Sequence, residues 1–351
     1  MSSSFSQSDA IEEFLSSFPN FEDDFLLKLD AKHQGILLKL QQEGSLKSIN
    51  KQNLRNWSGQ SDVGAPITFR YLFSAGNFNF KELWAYLGSK SYWFKENYDL
   101  KVNLEDDLSI IKLVGGYHLL LKNPVDRAPG HTRWISDGNA KYNLRWLRYI
   151  YLAHQIQEFD LVQANGTWVD IGSFYGGLQS IVFKNQRESR CVLVDFHHQL
   201  LRSFIFLKEQ FPNANHILSY KSGQEIPAGS FVYVPVQNFN ELSSLEPDLV
   251  SNFFSFGEMT RESFEGYRNS ALMKNSKYIY DVNRFISAPF FEPTYDNDIN
   301  IFDYTSDSHK RIYLDVFPIH HYHTLRRKIL NKVRSRNTSS SYFELIQEKK
   351  V

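Results

Sequence analysis

The sequence is short of cysteine, since Cys191 is the only one among its 351 residues. A single cysteine excludes an intrachain disulfide framework and a cysteine-rich zinc site. Cys191 falls within an apolar run, where a small buried side chain is expected rather than a reactive thiol. We therefore expect the chain to fold around an ordinary apolar core.

Long hydrophobic runs and an excess of charge are absent as well. No stretch reaches the roughly 18 apolar residues that a membrane span needs. The opening MSSSFSQSDAIEEF has neither the basic nor the apolar region of a secretory signal. Lys plus Arg and Asp plus Glu number 39 each, so no net charge attracts the chain to nucleic acid. These absences predict a cytoplasmic protein that does not bind nucleic acid.

A metal site is not expected either. The only histidine-rich stretch is FPIHHYH, which contributes His320, His321 and His323. It lacks a helical pair spaced by four residues, and no paired acids accompany it, whereas a site requires three or more convergent ligands.

The hydrophobic pattern divides the chain into four segments. Residues 1–110 predict a mainly helical subdomain, and 111–150 a loop-rich lid followed by a connecting helix. Residues 151–325 alternate short apolar strands with helices, and 326–351 read as a basic helix and a flexible tail. Non-alternating apolar strands between helices indicate a parallel sheet that is covered on both faces. The predicted fold class is therefore α/β, with a doubly wound, mostly parallel, Rossmann-like sheet.

The candidate ligand site lies where the first strand of that sheet ends, in DIGSFYGGLQSI. Asp170 ends the first strand, and Asp195 ends the second strand 25 residues later. Glycines in the turn allow a positive φ and a close approach of a ligand. The second acid can accept hydrogen bonds from both hydroxyls of a ribose. The dinucleotide fingerprint G-x-G-x-x-G is missing, because Phe174 takes the place of its second glycine. An acid on the first strand suits an ammonium group better than a phosphate, so the pattern favours S-adenosylmethionine.

The same stretch resembles the first motif, E-I-G-x-G-Y-G-G-L, of the sugar O-methyltransferase family, a branch of the class I S-adenosylmethionine-dependent methyltransferases. PDLVSNFFSFGEM is similar to that family's D-L-V-I-N-x-x-S-F-x-E-M, and YIYDVNRF to its Y-x-x-x-N-R. The resemblance covers roughly residues 113–325. The chain departs from the family at Phe174, which replaces a glycine, and at Asp170, which replaces the commoner glutamate.

The strand order and the resemblance together suggest the residues of the site. Those for the cofactor are Asp170, Gly172, Ser173, Phe174, Tyr175, Gly176, Gly177, Asp195, Phe196, Gln237, Asn238 and Asn252. Those for the substrate are Ser255, Asn283 and Arg284. Arg284 either clamps a sugar phosphate or carboxylate or forms a surface ion pair. Asn252 and Ser255 either contact ligand or satisfy backbone groups at a strand end.

A general base must take the proton of the attacking hydroxyl. Glu258, in SFGEM, is the first candidate, and its alternative role is a charge at a helix start beside Thr260. His131, on the predicted lid, is the second candidate, because an imidazole suits proton transfer near neutral pH.

These features imply an S-adenosylmethionine-dependent O-methyltransferase that releases S-adenosylhomocysteine. Its expected acceptor is a sugar or glycan, nucleotide- or lipid-linked, in surface polysaccharide or nucleotide-sugar biosynthesis. The basic segment Leu325 to Arg336 suggests peripheral contact with anionic lipid, and the chain could form a homo-oligomer. Two alternatives stay open: an inactive methyltransferase-like module for binding or assembly, and a nicotinamide-dependent oxidoreductase.

Overall fold

The computed structural model describes residues 7–18, 103–125, 134–287, 298–320 and 342–350. The helices of these ranges are α1 (Gln7–Ser17), α2 (103–113), α3 (Tyr117–Lys122), α4 (Leu144–Glu158), α5 (Gly177–Asn185), α6 (His197–Gln210), α7 (Arg261–Arg268) and α8 (Ala271–Asn275). The strands are β1 (Ile135–Asp137), β2 (Ala140–Tyr142), β3 (Thr167–Ile171), β4 (Arg190–Asp195), β5 (Asn215–Ile217), β6 (Ser230–Pro235), β7 (Leu249–Phe253), β8 (Tyr278–Arg284), β9 (Ile286–Ser287), β10 (Ile299–Asn300), β11 (His309–Val316) and β12 (Tyr342–Lys349). Short 3₁₀ turns cover Val236–Leu242, Phe256–Glu258 and Ile301–Tyr304.

The chain forms two compact units. The first consists of residues 1–50, 156–317 and 335–351, and the second of residues 51–155 and 318–334. Within the described ranges, no helix combines the length and the apolarity that a membrane crossing requires.

The first unit is built on a sheet of eight strands in the order β11-β12-β8-β7-β3-β4-β6-β5. Strands β3 to β8 pair in parallel, whereas β12 runs antiparallel to both of its neighbours, β8 and β11. Strand β11 therefore points in the same direction as β8. With helices α5 and α6 between the parallel strands, this is the doubly wound, mostly parallel α/β sheet that the sequence predicts, and the fold class is confirmed.

The order of the strands reverses beside β3. The chain passes from β3 to β4 on one side of the sheet and later returns to β7 on the other side of β3. In open α/β sheets, ligands bind at the carboxyl ends of the strands, at such a switch point. The ends of β3 and β7 are therefore where a ligand site is expected.

The central strands are apolar because both faces of the sheet are covered. Val169, Val192, Val232 and Val250 are fully buried, as is expected of parallel strands between helices. Helix α1 packs on α6 through the rings of Phe14 and Phe204, whose centroids are 5.9 Å apart. The predicted N-terminal helical subdomain, 1–110, falls mostly outside the described residues.

The second unit corrects the interpretation of residues 113–139 as a loop-rich passage. Gly115, with a φ of +90°, ends α2, and helix α3 follows at once because Leu119 and Leu120 are buried. Strands β1 and β2 then form an antiparallel hairpin. The glycine pair separates two helices, and only residues 126–133 of the predicted lid, with His131, lie outside the described residues.

The prediction of a flexible tail is also wrong for residues 342–349. These residues form β12, which lies between β8 and β11 in the main sheet. Phe343, Leu345 and Ile346 are buried, so the segment is a core strand. The basic stretch that precedes it, Leu325 to Arg336, lies outside the described residues.

The stretch after Thr260 forms two helices. Thr260 is the N-cap of α7, and its Oγ1 accepts a hydrogen bond from the backbone of Ser263 at 3.2 Å. Ser270 is a second N-cap, accepting from Met273 at 3.3 Å, and it begins α8.

Candidate functional site

The ends of three neighbouring strands are joined by Asn252, Ser255 and Asn283, which we call the amide floor. Asn252 Nδ2 donates to the carbonyl of Ile171 at 2.7 Å and to Ser255 Oγ at 2.5 Å. Asn283 Nδ2 donates to Asn252 Oδ1 at 3.0 Å. Both asparagines are almost fully buried. The amide floor thus holds β3, β7 and β8 together at their carboxyl ends.

The glycine turn lies directly beside this floor. Gly172 has a φ of +81°, and a Cβ there would lie 2.2 Å from Ser255 Oγ. Its backbone N–H donates to the carbonyl of Val194, 2.8 Å away on β4. Only glycine combines this conformation with this contact, so Gly172 brings the turn close to the amide floor.

Phe174 adopts a backbone conformation that is common for glycine and rare for other residues. Its φ is +55°, in the left-handed region that is strained for a bulky side chain. The backbone of Phe174 is held at both ends, because its N–H donates to Asp195 Oδ2 at 2.7 Å and its carbonyl accepts from Ser203 Oγ at 2.6 Å. The turn therefore keeps a glycine-like path with a half-buried ring upon it.

Asp195 connects the turn to the second strand. Besides the bond from Phe174, its Oδ1 accepts from the N–H of Phe196 at 2.7 Å. Burial raises the pKa of Asp195 to about 7, and these two backbone donors oppose that rise. Asp195 thus lies at the end of β4, where the sequence places the partner of a ribose.

Asp170 is enclosed by other side chains. Its Oδ2 accepts from Gln179 Nε2 at 2.5 Å, and its Oδ1 accepts from Ser251 Oγ at 2.6 Å. Trp168 Nε1 in turn donates to Ser251 Oγ at 2.7 Å. Burial raises the pKa of Asp170 to about 7. Its predicted contact with an ammonium group would therefore run through a water or require Gln179 to move.

Two features near the turn leave hydrogen-bonding capacity for a ligand. Ser173 Oγ is buried and has no hydrogen-bond partner. Helix α5 begins after Gly176, whose φ is +80°, and no side chain caps its first turn. The start of α5 thus presents backbone N–H groups, which favour an anionic group.

The remaining cofactor candidates have different environments. Tyr175 is buried, and its ring packs edge-on against Phe206, 5.3 Å away. Phe196 is half-buried and precedes α6. Gln237 and Asn238 are exposed, on the 3₁₀ turn after β6. Gly177 begins α5. Tyr175 therefore supports the turn from the core side, while Gln237 and Asn238 are open to solvent.

Glu258 and Arg284 lie beyond the amide floor. Glu258 is exposed, and its backbone N–H donates to the carbonyl of Ser255 at 3.0 Å. Desolvation by its surroundings raises the pKa of Glu258, and the charge of Arg284 opposes the shift. Arg284 is half-buried at the end of β8. An acid and a cation thus lie at the carboxyl edge, whereas the amides of Asn252 and Asn283 bind each other.

Several residues of this site have no signal in the sequence. Gln179, Ser203 and Ser251 are ordinary polar residues on a helix or strand, and only the packed structure brings them against the turn and Asp170. Ser251 precedes Asn252 on β7, so a strand ending at the switch point is the one feature that could have indicated it. In the part of the chain that the structure describes, no three His, Cys, Asp or Glu residues are grouped so that they could hold a metal ion.

The raised pKa values predict that the ligand-free protein is more stable at pH 6 than at pH 8. An unfolded carboxyl titrates near 4, so between about pH 4 and 7 the folded state binds more protons and the free energy of unfolding falls as pH rises. The folded pKa values of Asp170 and Asp195 are about 7. Each carboxyl should therefore lower the free energy of unfolding by about 1 kcal/mol between pH 6 and pH 8. Urea unfolding at the two pH values measures the change.

The matched variant for this measurement is Asp170→Asn. Gln179 Oε1 is buried without a partner, so the Gln179 side-chain amide can rotate to accept a hydrogen bond from the amide that the substitution introduces. His216 and His309, whose pKa values are lowered by burial, act in the opposite direction, so the difference between the two proteins isolates Asp170. Equal pH dependence in both would contradict the assignment.

Comparisons with known proteins extend no further than the fold. No known family profile matches the chain, and no curated protein sequence matches it. Among solved structures it is similar to geranyl diphosphate C-methyltransferase from Streptomyces coelicolor, in complex with Mg²⁺, geranyl-S-thiolodiphosphate and S-adenosyl-L-homocysteine, with 11% identity and a TM-score of 0.36. The match covers 57% of this chain and 79% of that one.

Two further solved structures give comparable values. The methyltransferase domain of bacterial CtHen1-C is 9% identical with a TM-score of 0.38, over 60% of this chain and 100% of that one. The pyocyanin biosynthetic protein PhzM is 12% identical with a TM-score of 0.34, over 56% of this chain and 54% of that one. Such values describe a general likeness of fold and carry no information on substrate.

Proposed function

We propose that the protein is an S-adenosylmethionine-dependent O-methyltransferase that acts on a sugar hydroxyl. The observation that carries the proposal is the pair of buried acids, Asp170 and Asp195, on either side of a glycine turn at the switch point of the sheet. The motifs that resemble the sugar O-methyltransferases support the choice of acceptor, since they include Glu258 and Arg284 of the carboxyl edge.

The residues at the switch point fit this cofactor. Asp195 would accept from the ribose hydroxyls, because each of its oxygens has a lone pair beyond the one used by a backbone donor. The first turn of α5 would bind the carboxylate of the methionine moiety, and the orphaned Ser173 Oγ would complete the hydrogen bonds of that moiety. Asp170 supplies the negative charge that balances the cationic end of the cofactor.

The cofactor supplies an electrophilic methyl group on a sulfonium. In the proposed transfer, the acceptor oxygen would take the methyl group, and the electron pair of the broken carbon–sulfur bond would stay on sulfur. The carboxylate of Glu258 would take the hydroxyl proton. The amide floor keeps β3, β7 and β8 in fixed register, so that the cofactor side and the acceptor side are aligned.

Isothermal titration of the whole chain with S-adenosylhomocysteine, with NAD and with buffer alone tests the proposal. We expect saturable binding of S-adenosylhomocysteine and none of NAD, because Phe174 stands where the dinucleotide fingerprint has its second glycine. Binding of NAD alone would identify an oxidoreductase. Binding of neither would identify a module without this cofactor. Either result would refute the proposal.

A further inference from the structure

Arg284 is a half-buried cation that lacks a counter-ion among the residues that the structure describes. Its Nε donates to the hydroxyl of Tyr342 at 3.4 Å, and its guanidinium carbon lies 5.9 Å from the centre of that ring. Glu258 acts on it only through its electric field. Within the described ranges, no carboxylate lies within 4.0 Å of the Arg284 guanidinium.

Two other shielded arginines of the same unit are paired with carboxylates. Arg261 forms an ion pair with Asp303 at 3.3 Å, and Arg268 forms one with Asp281 at 3.3 Å. A shielded charge costs free energy unless it is paired or hydrogen-bonded. Arg284 differs from these two in having no carboxylate partner within the described ranges, so its guanidinium can bind an anion from outside the protein.

The ring beside Arg284, that of Tyr342, belongs to a group of three aromatic side chains, Phe254, Phe317 and Tyr342, which we call the aromatic cluster. The Phe254 ring lies 5.4 Å from that of Phe317 and 5.1 Å from that of Tyr342, edge-on in both contacts. Phe254 follows β7 and Phe317 follows β11, while Tyr342 begins the antiparallel β12, so all three lie at the carboxyl edge of the parallel strands.

The backbone of Phe254 is strained, and a hydrogen bond to β8 helps to hold it in that conformation. Phe254 has a φ of +66°, which a bulky residue keeps only where its surroundings fix it. Its N–H donates to the carbonyl of Val282 on β8 at 2.8 Å. Strained backbone of this kind clusters at binding sites. The chain thus holds the Phe254 ring at the edge in a defined place.

Apart from Asn252 on β7, the cofactor candidates and the aromatic cluster occupy different halves of the edge. The turn after β3, the end of β4 and the turn after β6 lie on one side of the switch point. Arg284 ends β8, and the aromatic cluster lies at the ends of β7, β11 and β12, on the other side. Glu258 ends the 3₁₀ turn that follows β7, and this turn packs against β8, where the N–H of Gly257 donates to Asn283 Oδ1 at 3.3 Å.

We propose that Arg284 and the aromatic cluster form an acceptor subsite for a sugar that carries an anionic group, either a carboxylate or a phosphate. The guanidinium binds the anion, since its fork of donors matches both groups. The half-buried rings of Phe254 and Tyr342 pack against the apolar face of the sugar, while the buried ring of Phe317 packs against Phe254. The anion fixes the acceptor so that one hydroxyl faces Glu258. This inference rests on the proposed function.

Titration of the protein saturated with S-adenosylhomocysteine tests the subsite with three probes: glucose, glucuronate and glucose 6-phosphate. We expect at least one of the two anionic probes to bind about tenfold or more tightly than glucose, and the better of the two identifies the anion. In Arg284→Gln, the ratio of the affinity for the anionic probe to the affinity for glucose should fall about tenfold, whereas Arg284→Lys should keep part of that preference. Arg311→Gln, which removes an exposed charge from β11, should bind the three probes with the affinities of the wild type.

The outcomes separate the two proposals. If S-adenosylhomocysteine binds normally but neither anionic probe binds more tightly than glucose, the subsite is refuted and the proposed function stands. A preference for anions that survives in Arg284→Gln, in a variant with unchanged thermal stability, also refutes it. If S-adenosylhomocysteine does not bind, both proposals fail.

Discussion

Replacing Asp195 by alanine should weaken the binding of S-adenosylhomocysteine by about 100-fold or more. A hydrogen bond to a charged acceptor contributes about 1.5–3 kcal/mol, so two lost bonds to the ribose hydroxyls amount to at least about 3 kcal/mol. Asp195 also holds the turn through the N–H of Phe174, and alanine would leave that donor without its acceptor. Isothermal titration of variant and wild type measures the loss.

Loosening of the turn and loss of the ribose contact can be distinguished. Ser203→Ala removes the other anchor of the turn, the hydrogen bond to the Phe174 carbonyl, without touching Asp195. We expect this variant to bind S-adenosylhomocysteine only a few-fold more weakly, since one neutral hydrogen bond contributes about 1 kcal/mol. Asp248→Ala removes a carboxylate from the opposite edge of the sheet and should leave the affinity unchanged. Comparable losses in Asp195→Ala and Ser203→Ala would show that Asp195 acts through the turn alone.

The parallel half of the sheet is predictable from sequence because its signals are local. Strand β3 is an apolar run with Asp170 as its last but one residue, and β4 is an apolar run that ends in Asp195. Each strand is followed by a helix that packs apolar side chains on the sheet. The turn residues Gly172 and Gly176 are glycines because their positive φ values require them. The position of the site follows from the same patterns, since the carboxyl end of a strand is fixed once the strand is known.

The features that the sequence does not predict depend on distant contacts. Strand β12 has both faces buried, and it pairs antiparallel with β8 and β11, which end at residues 284 and 316. Its burial therefore depends on neighbours that are far away along the chain. The amide floor pairs Asn252 with Asn283 across 31 residues, and only the order of β7 and β8 brings them together. For the same reason, the sequence does not predict that Gln179 and Ser251 enclose Asp170. In the sequence, polar residues at strand ends therefore look like ligand contacts. The structure shows that they also form hydrogen bonds within the protein.

The conformation of Phe174 likewise depends on contacts that the sequence does not reveal. Its backbone keeps a φ of +55°, with Asp195 and Ser203 holding its N–H and carbonyl. Two side chains from outside the turn thus hold a conformation that is uncommon for a bulky residue.

The second large effect concerns the base. Glu258→Gln should lower turnover by about 100-fold to 10,000-fold with unchanged affinity for S-adenosylhomocysteine, because the amide cannot take the hydroxyl proton. The measurement uses the anionic sugar that the wild type methylates most rapidly. In the wild type, turnover should fall as pH drops through the raised pKa of Glu258, because the protonated acid is no longer a base. In the variant this acid limb should be lost.

Glu262→Gln is the matched control, since it removes an exposed acid from the first turn of α7, four residues away. If Glu258 acted only as a charge at a helix start, the two variants would lose similar thermal stability and both would keep turnover. We expect the opposite pattern: Glu262→Gln lowers stability by a few tenths of a kcal/mol with normal turnover, and Glu258→Gln abolishes turnover with little change in stability. Unchanged turnover in Glu258→Gln would exclude it as the base and leave His131 as the candidate. Glu258 follows β7 and interacts electrostatically with Arg284, which makes it our first candidate to take a proton from a hydroxyl held by Arg284.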